Sequence, residues 1–139
     1  MQKIGAGYVV YGEDVESLQF DWGTLKMHNE PAVTGSQRFS SGVVIVKPGM
    51  GHARHNHPGS DEIIYVISGE IEQMIDDQPP VRLHAGASIF IPADVYHATL
   101  NVGWKPAELF IIYAPPGPER FFRTLPGCTV TPPENASKP

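Results

Sequence analysis

The chain has 139 residues, 41% hydrophobic and 18% charged, with a formal net charge of −5. That length accommodates one domain with its own core. Its acidic balance, without any Lys/Arg cluster, excludes the electrostatic footprint of a nucleic-acid binder. No apolar run approaches the roughly 20 residues of a membrane span, so no membrane partner is expected. A single cysteine, Cys128, leaves no intrachain disulfide framework. The opening residues lack the apolar core of a secretion signal, which makes the cytoplasm the expected compartment. The 14 glycines and 14 prolines interrupt most windows long enough for a helix. Many short strands joined by tight turns are therefore expected, as in an all-β fold.

In chain order, residues 1–36 read as an irregular N-terminal arm of the same domain, with strands expected around 8–11 and 23–27. Asn29-Glu30-Pro31 and Thr34-Gly35-Ser36 read as loops. From 37 onwards, β-branched and aromatic runs alternate with turn signals. The run 43–46 stops at Pro48-Gly49, 63–67 at Ser68-Gly69, and 71–75 at Asp76-Asp77. Residues 81–83 lead into Ala85-Gly86, 88–91 stop at Pro92, and 97–102 and 109–113 complete the set. Short runs at spacings near 10 residues predict a sandwich or small barrel over 37–117. Pro115-Pro116-Gly117-Pro118 closes it. In the last segment, 118–139, residues 119–125 make one or two helical turns with Phe121, Phe122 and Leu125 on an apolar face. The polar, Pro-rich stretch 129–139 is expected to lack fixed structure.

The chemistry concentrates around His55-Asn56-His57. Residues two apart on a strand share a face, so both imidazoles converge if this segment is extended. Glu62 follows across the short loop Pro58-Gly59-Ser60-Asp61, and His97 lies just beyond a proline-marked turn. Three imidazoles and one carboxylate form a borderline-to-hard donor set suited to one divalent ion of Fe, Mn, Ni, Zn or Cu, with coordination positions to spare. Taken alone, the His-x-His pair reads equally well as polar surface.

The wider spacing decides between these readings. Gly49-x5-His55-x-His57-x4-Glu62-x6-Gly69 resembles the first motif of the cupin superfamily, and Gly86-x5-Pro92-x-Asp94-x2-His97-x3-Asn101 resembles the second. Asp94 departs from the glycine often found there, and Asp tolerates a positive backbone angle better than most residues. The resemblance implies a single cupin barrel, a double-stranded β-helix or jelly roll, with a short C-terminal helical segment. It implies a metal held by His55, His57, Glu62 and His97, and a homodimer that exchanges N-terminal strands. Similarity to small quercetinase-like cupins points to a dioxygenase acting on a small oxygenated organic substrate, with Glu62 as a catalytic base. A metal-dependent decarboxylase, lyase or sugar isomerase and a non-enzymatic small-molecule binder are the alternatives.

Strict alternation makes further expectations. His52 faces away from His55 as a surface residue, as do Arg54 and Asn56, while Ile64, Val66 and Ser68 share the inward face of Glu62, and Thr99 and Asn101 that of His97. His28 and His84 read as surface residues. Tyr96 and Tyr113 are read as packing before they are read as hydroxyl donors. Trp22, Trp104 and Phe39 either wall the pocket or pack between subunits. The Phe121-Phe122 pair reads as a latch over the barrel base or a dimer contact.

Overall fold

Alternating burial along the apolar runs decides how the strands face. In the computed structural model, which describes residues 1–137, strand β7 (Asp61–Ser68) buries Glu62, Ile64 and Val66 and exposes the residues between them. Strand β12 (Ala107–Ala114) buries every second residue from Ala107 to Tyr113. These two pair antiparallel at the centre of a seven-stranded sheet. Its other members are β10 (Ser88–Ile91) beyond β7, then β5 (Ser40–Val46), β4 (Gly23–Asn29), β3 (Ser17–Phe20) and β13 (Thr129–Thr131) beyond β12. A four-stranded sheet faces it in the order β6 (Gly51–His55), β11 (His97–Asn101), β8 (Glu70–Ile75) and β9 (Val81–His84). The arrangement is a jelly-roll β fold.

The core lies between the sheets. Leu25, Met27, Val44, Val46, Ile64, Val66, Leu109 and Ile111 project from the large sheet and Ile71 from the small one. Each such side chain, fully buried, contributes about 1.5–3 kcal/mol. Gly69 turns β7 into β8 at φ 88°, where a Cβ would lie 2.8 Å from the Ala107 Cα, so no other residue fits there.

Several local expectations change. Residues 31–34 form a short helix, α1 (Pro31–Thr34), with proline at its first position, where a loop was expected. Ser68 is exposed, because the β12–β7 register shifts between Glu108 and Leu109 and breaks the alternation before Ser68. The stretch after Cys128 is not without structure: Thr129–Thr131 pairs with the open edge of β3, and Glu134–Ser137 forms a 3-10 turn. Backbone pairing does not depend on apolar side chains, so composition alone misjudged this segment. The end of the expected tail, Lys138 and Pro139, lies outside the described residues. At the other terminus, β1 (Gln2–Ile4) and β2 (Gly7–Val9) pair with each other in a separate two-stranded sheet.

A second helix, α2 (Pro118–Arg123), follows β12 and is tied to the barrel by charge. Arg123 reaches the buried Glu30 with two hydrogen bonds, at 2.6 and 3.0 Å, and Glu16 at 3.1 Å. Glu119, fully buried, accepts hydrogen bonds from Ser40 Oγ at 2.9 Å and Gly117 N at 3.0 Å. Phe122 is buried and Phe121 is exposed.

Candidate metal centre

Three strands and one loop deliver the four predicted ligands to one place. His55, the last residue of β6, stands directly opposite His97, the first of β11. Glu62 enters from β7, opposite Tyr113 on β12 and Ile91 on β10. His57 lies just past the end of β6, in a loop fixed from both sides. Its carbonyl accepts from Ser60 N and Asp94 N, both at 3.2 Å. Asp94 adopts φ 70° and accepts a hydrogen bond from Gly59 N at 3.1 Å. An aspartate in the glycine position thus takes the left-handed turn and also ties together the two ligand-bearing loops.

One donor atom from each of His55, His57, Glu62 and His97 lies within 4.8 Å of the others. Glu62 Oε2 is 2.9 Å from His57 Nε2 and 3.1 Å from His97 Nε2. His55 Nδ1 lies 2.6 Å from the Ala53 carbonyl and His97 Nδ1 lies 2.9 Å from the Val95 carbonyl. A carbonyl only accepts, so both Nδ1 atoms carry the proton and both Nε2 atoms present lone pairs. This is how metal-binding histidines are commonly oriented.

The donor set fits a divalent cation on the structure's own terms. His57 Nε2, His97 Nε2 and Glu62 Oε2 are buried, and none completes a hydrogen bond of acceptable geometry despite their proximity. Buried acceptors facing one another without a proton repel, and a shared cation removes that cost. Protonation serves part of the same end in the metal-free chain. Burial opposes a charge on His97, but Glu62 outweighs it and raises the imidazole's pKa. Burial alone would also raise the pKa of Glu62, yet the two imidazoles against it hold the carboxyl down at about 2. Burial pushes His55 down to about 3, with His52 and His97 adding to the effect. At neutral pH His55 is therefore neutral and Glu62 charged, the states that ligands require.

His55, Glu62 and His97 form one wall of a small, mostly apolar cavity inside the barrel, shared with Trp22, His52, Ile64, Ile111, Tyr113 and Phe122, and His57 faces an outer cleft that His55 also reaches. His52 corrects the alternation argument. The β6–β11 register steps from His55 opposite His97 to His52 opposite Thr99, leaving two residues, Ala53 and Arg54, against Ala98 alone. This bulge turns His52 inward, where its ring stacks on His55 with centroids 3.7 Å apart and on Trp22 at 5.0 Å. Arg54 stays outside, donating to the Asp76 carbonyl at 2.8 Å and lying over Tyr96.

Phe122 corrects a second expectation. Its ring lies 5.3 Å from His52 and 5.8 Å from His57, so it walls the site rather than the barrel base. One clue was available in the sequence: the chain leaves β12 just after Tyr113, and the strand pairing sets Tyr113 beside Glu62 at the ligand end. Of the other aromatics, Trp22 walls the cavity, whereas Trp104 and Phe39 are exposed and do not line it. Thr99 and Asn101 are buried as expected; Thr99 donates to Gln73 Oε1, and Asn101 donates to the Val46 and Lys105 carbonyls.

Tyr113 is buried on the cavity wall, its ring 5.0 Å from that of His57. Burial, reinforced by the negative Glu62 and Glu119, raises its pKa well above the ordinary phenol value.

Comparison with known proteins agrees with this geometry. A family model described as a cupin domain matches residues 42–113, a span that holds all four residues of the cluster. Protein SchB of Streptomyces halstedii is 33% identical over 111 residues, covering 79% of each chain. Polyketide synthase CurC of Streptomyces cyaneus is 30% identical over 112 residues, covering 80% of this chain and 71% of CurC. Among solved structures, the oxalate decarboxylase of Lactobacillus farciminis shares the fold with a TM-score of 0.68 at 23% identity. That match covers 75% of this chain, which spans only 32% of the decarboxylase chain. With the domain match extending over more than half of the sequence and two relatives aligned along most of their length, the chain belongs to the cupin family.

Proposed function

We propose that this cupin is a metal-dependent enzyme, of the dioxygenase type, acting on a small, flat, apolar organic substrate that carries oxygen donors. The observation behind this reading is the lining of the cavity. His55, Glu62 and His97 meet aromatic and aliphatic walls there, and no Lys or Arg lines that inner space; His57 lines the adjoining outer cleft, where Arg120 is the cationic side chain. Apart from the ion itself, an oxalate-sized dianion would find no Lys or Arg in this inner space to balance its remaining charge. A sugar would find few partners for its hydroxyls. An enolised carbonyl compound or a phenol suits the apolar lining better, its oxygens being few; the inner space of about 40 Å³ admits only its reacting end, and the open cleft beside His55 and His57 takes the rest. The relative CurC bears the name of a polyketide synthase, and polyketide chains have this chemistry.

A divalent ion held by His55, His57, Glu62 and His97 supplies a Lewis acid for a substrate oxygen and, when redox-active, a centre for reaction with O2. The protein's own contribution is positioning. Trp22 and Phe122 line the apolar side of the site, and Phe122 brings α2 against the ligand end. Glu62 is the one carboxylate lining the cavity among the described residues, which makes it the group placed to accept a proton from the substrate.

The test is oxygen uptake by protein loaded with each candidate metal in the presence of catechols, flavonols and enolised diketones. Uptake that His57→Ala and Glu62→Gln abolish is expected. Metal-dependent conversion without oxygen uptake would place the chain with decarboxylases and lyases, and tight binding without any product would make it a binding module.

A further inference from the structure

One formally charged side chain, Arg120 of α2, lines the outer cleft beside the ligand cluster. The cleft has a volume of about 650 Å³, within the range of small-molecule sites, and His55 and His57 open onto it. Its walls include Pro58, Pro115, Pro116 and Pro118, which carry no N–H, and the 61% exposed ring of Phe121. Most other polar groups there are already committed. Asn56 donates to the Asp94 carbonyl, and Ser60 Oγ to the Pro115 carbonyl. The backbone N–H groups of Gly59, Ser60 and Gly117 go to Asp94, His57 and Glu119. Arg120 is not committed. Among the described residues its guanidinium makes no ion pair or hydrogen bond, whereas Arg54, Arg82 and Arg123 are each paired. Glu16 and Glu30, on its other side, belong to Arg123. No Asp or Glu lines the cleft to neutralise it. An unpaired arginine on open surface is ordinary, but a lone cation in an apolar, donor-poor cleft is placed to receive an anion.

We infer that this cleft binds the body of an aromatic carboxylic acid, with Arg120 pairing the carboxylate and Phe121 and the prolines packing against the rings. The inference rests on the proposed function above for the reacting end of the molecule, and it adds the recognition of the other end. A planar guanidinium meets a carboxylate through two parallel hydrogen bonds, a fit that a neutral ester or amide cannot match. Pro115, Pro116 and Pro118 fix the shape of the facing wall in advance, so little ordering cost remains to be met on binding. Specificity then comes from charge remote from the ligand cluster. The free acid is taken in preference to its amide or ester.

The test uses the full chain, both metal-free and zinc-loaded, with the fluorescent probe 6-hydroxy-2-naphthoate and its neutral counterpart 6-hydroxy-2-naphthamide. Wild type should bind the acid about fivefold more tightly than the amide, with or without zinc, and Arg120→Gln should bind the two alike. Arg120 is exposed, so the variant should melt as wild type does. Phe121→Ala should weaken both probes by the same factor and leave the preference intact. A preference that persists in Arg120→Gln, or that appears only with zinc, would put the carboxylate elsewhere and overturn the role of Arg120. Equal binding of acid and amide by wild type would refute the carboxylate assignment. Binding of neither probe, or affinities unmoved by Phe121→Ala, would remove the cleft as the binding site. A wild-type chain that takes up no zinc would bring down the metal reading alone, because the metal-free comparison still decides the role of Arg120.

Discussion

The imidazole of His52 lies nearly flat on that of His55, ring centroids 3.7 Å apart at an interplanar angle of 26°, because a bulge in β6 places two residues opposite one of β11. His52 nevertheless stands outside the group of donor atoms formed by His55, His57, Glu62 and His97. It packs against one of the four proposed ligands and is not itself in the donor group. His52→Phe should therefore retain stoichiometric metal, while His55→Ala loses affinity by at least about 100-fold, the upper range for losing a mere supporting contact. Calorimetric titration with zinc checks both. Equal losses in the two variants would make His52 a ligand.

The metal-free protein should lose stability on mild acidification. Burial pushes His52 down to about 4 and His55 to about 3, from an ordinary value near 6.5. Below pH about 6.5 the unfolded chain takes up protons that the folded chain refuses, so stability falls as pH drops towards about 4. His97 is shifted upward and works the other way, so the net loss reflects two imidazoles against one. Urea midpoints of the metal-free chain at about pH 7.5 and about pH 5 measure it, with the lower midpoint expected at the acid value. A higher midpoint there would contradict the assigned burial of His52 and His55.

Arg123 holds α2 over the site by pairing with a carboxylate that is 2% exposed, Glu30. Arg123→Met leaves that buried charge alone, which costs about 3 kcal/mol, the lower end for such breaks because the arginine is partly solvated. Adding Glu30→Leu should recover much of the loss, since no unpaired charge remains. In the single variant a chelator should also strip bound zinc faster, because Phe122 rides on the same helix. Denaturant unfolding and chelator-competition rates provide the two readouts. An unchanged stripping rate would separate α2 from the site.

The outer face of the large sheet is apolar across neighbouring strands. Ile63 and Phe90 are direct partners, Tyr65 lies beside Phe110, and Ile63, Tyr65, Ile67 and Phe90 are all exposed. Such a patch predicts pairing with a second copy of the chain. Sedimentation should show a dimer that Tyr65→Glu with Phe90→Lys converts to a monomer. A monomeric wild type at micromolar concentration would refute this.

The site was more legible than the fold around it. Ligand spacing is short-range information: His55, His57, Glu62 and His97 are delivered by turns whose glycines, Pro92 and Asp94 are visible as residues. Asp94 even declares the positive backbone angle it adopts. His52 was misread because period-two reasoning cannot see a bulge, and a bulge depends on how the partner strand pairs. Phe122 was misread because a short amphipathic turn says which of its residues are buried but not which end of the barrel it covers. The strand Thr129–Thr131 was missed because it is recruited by the free edge of β3 rather than by its own apolar content.

Metal stoichiometry, measured by elemental analysis after loading and exhaustive dialysis, tests the reading of the centre most directly. One divalent ion per chain is expected for wild type, with loss of the ion in His57→Ala, Glu62→Gln and His97→Ala while each variant remains folded. A wild-type chain that retains no ion, or variants that retain as much as wild type, would contradict the assignment of these residues as a metal centre.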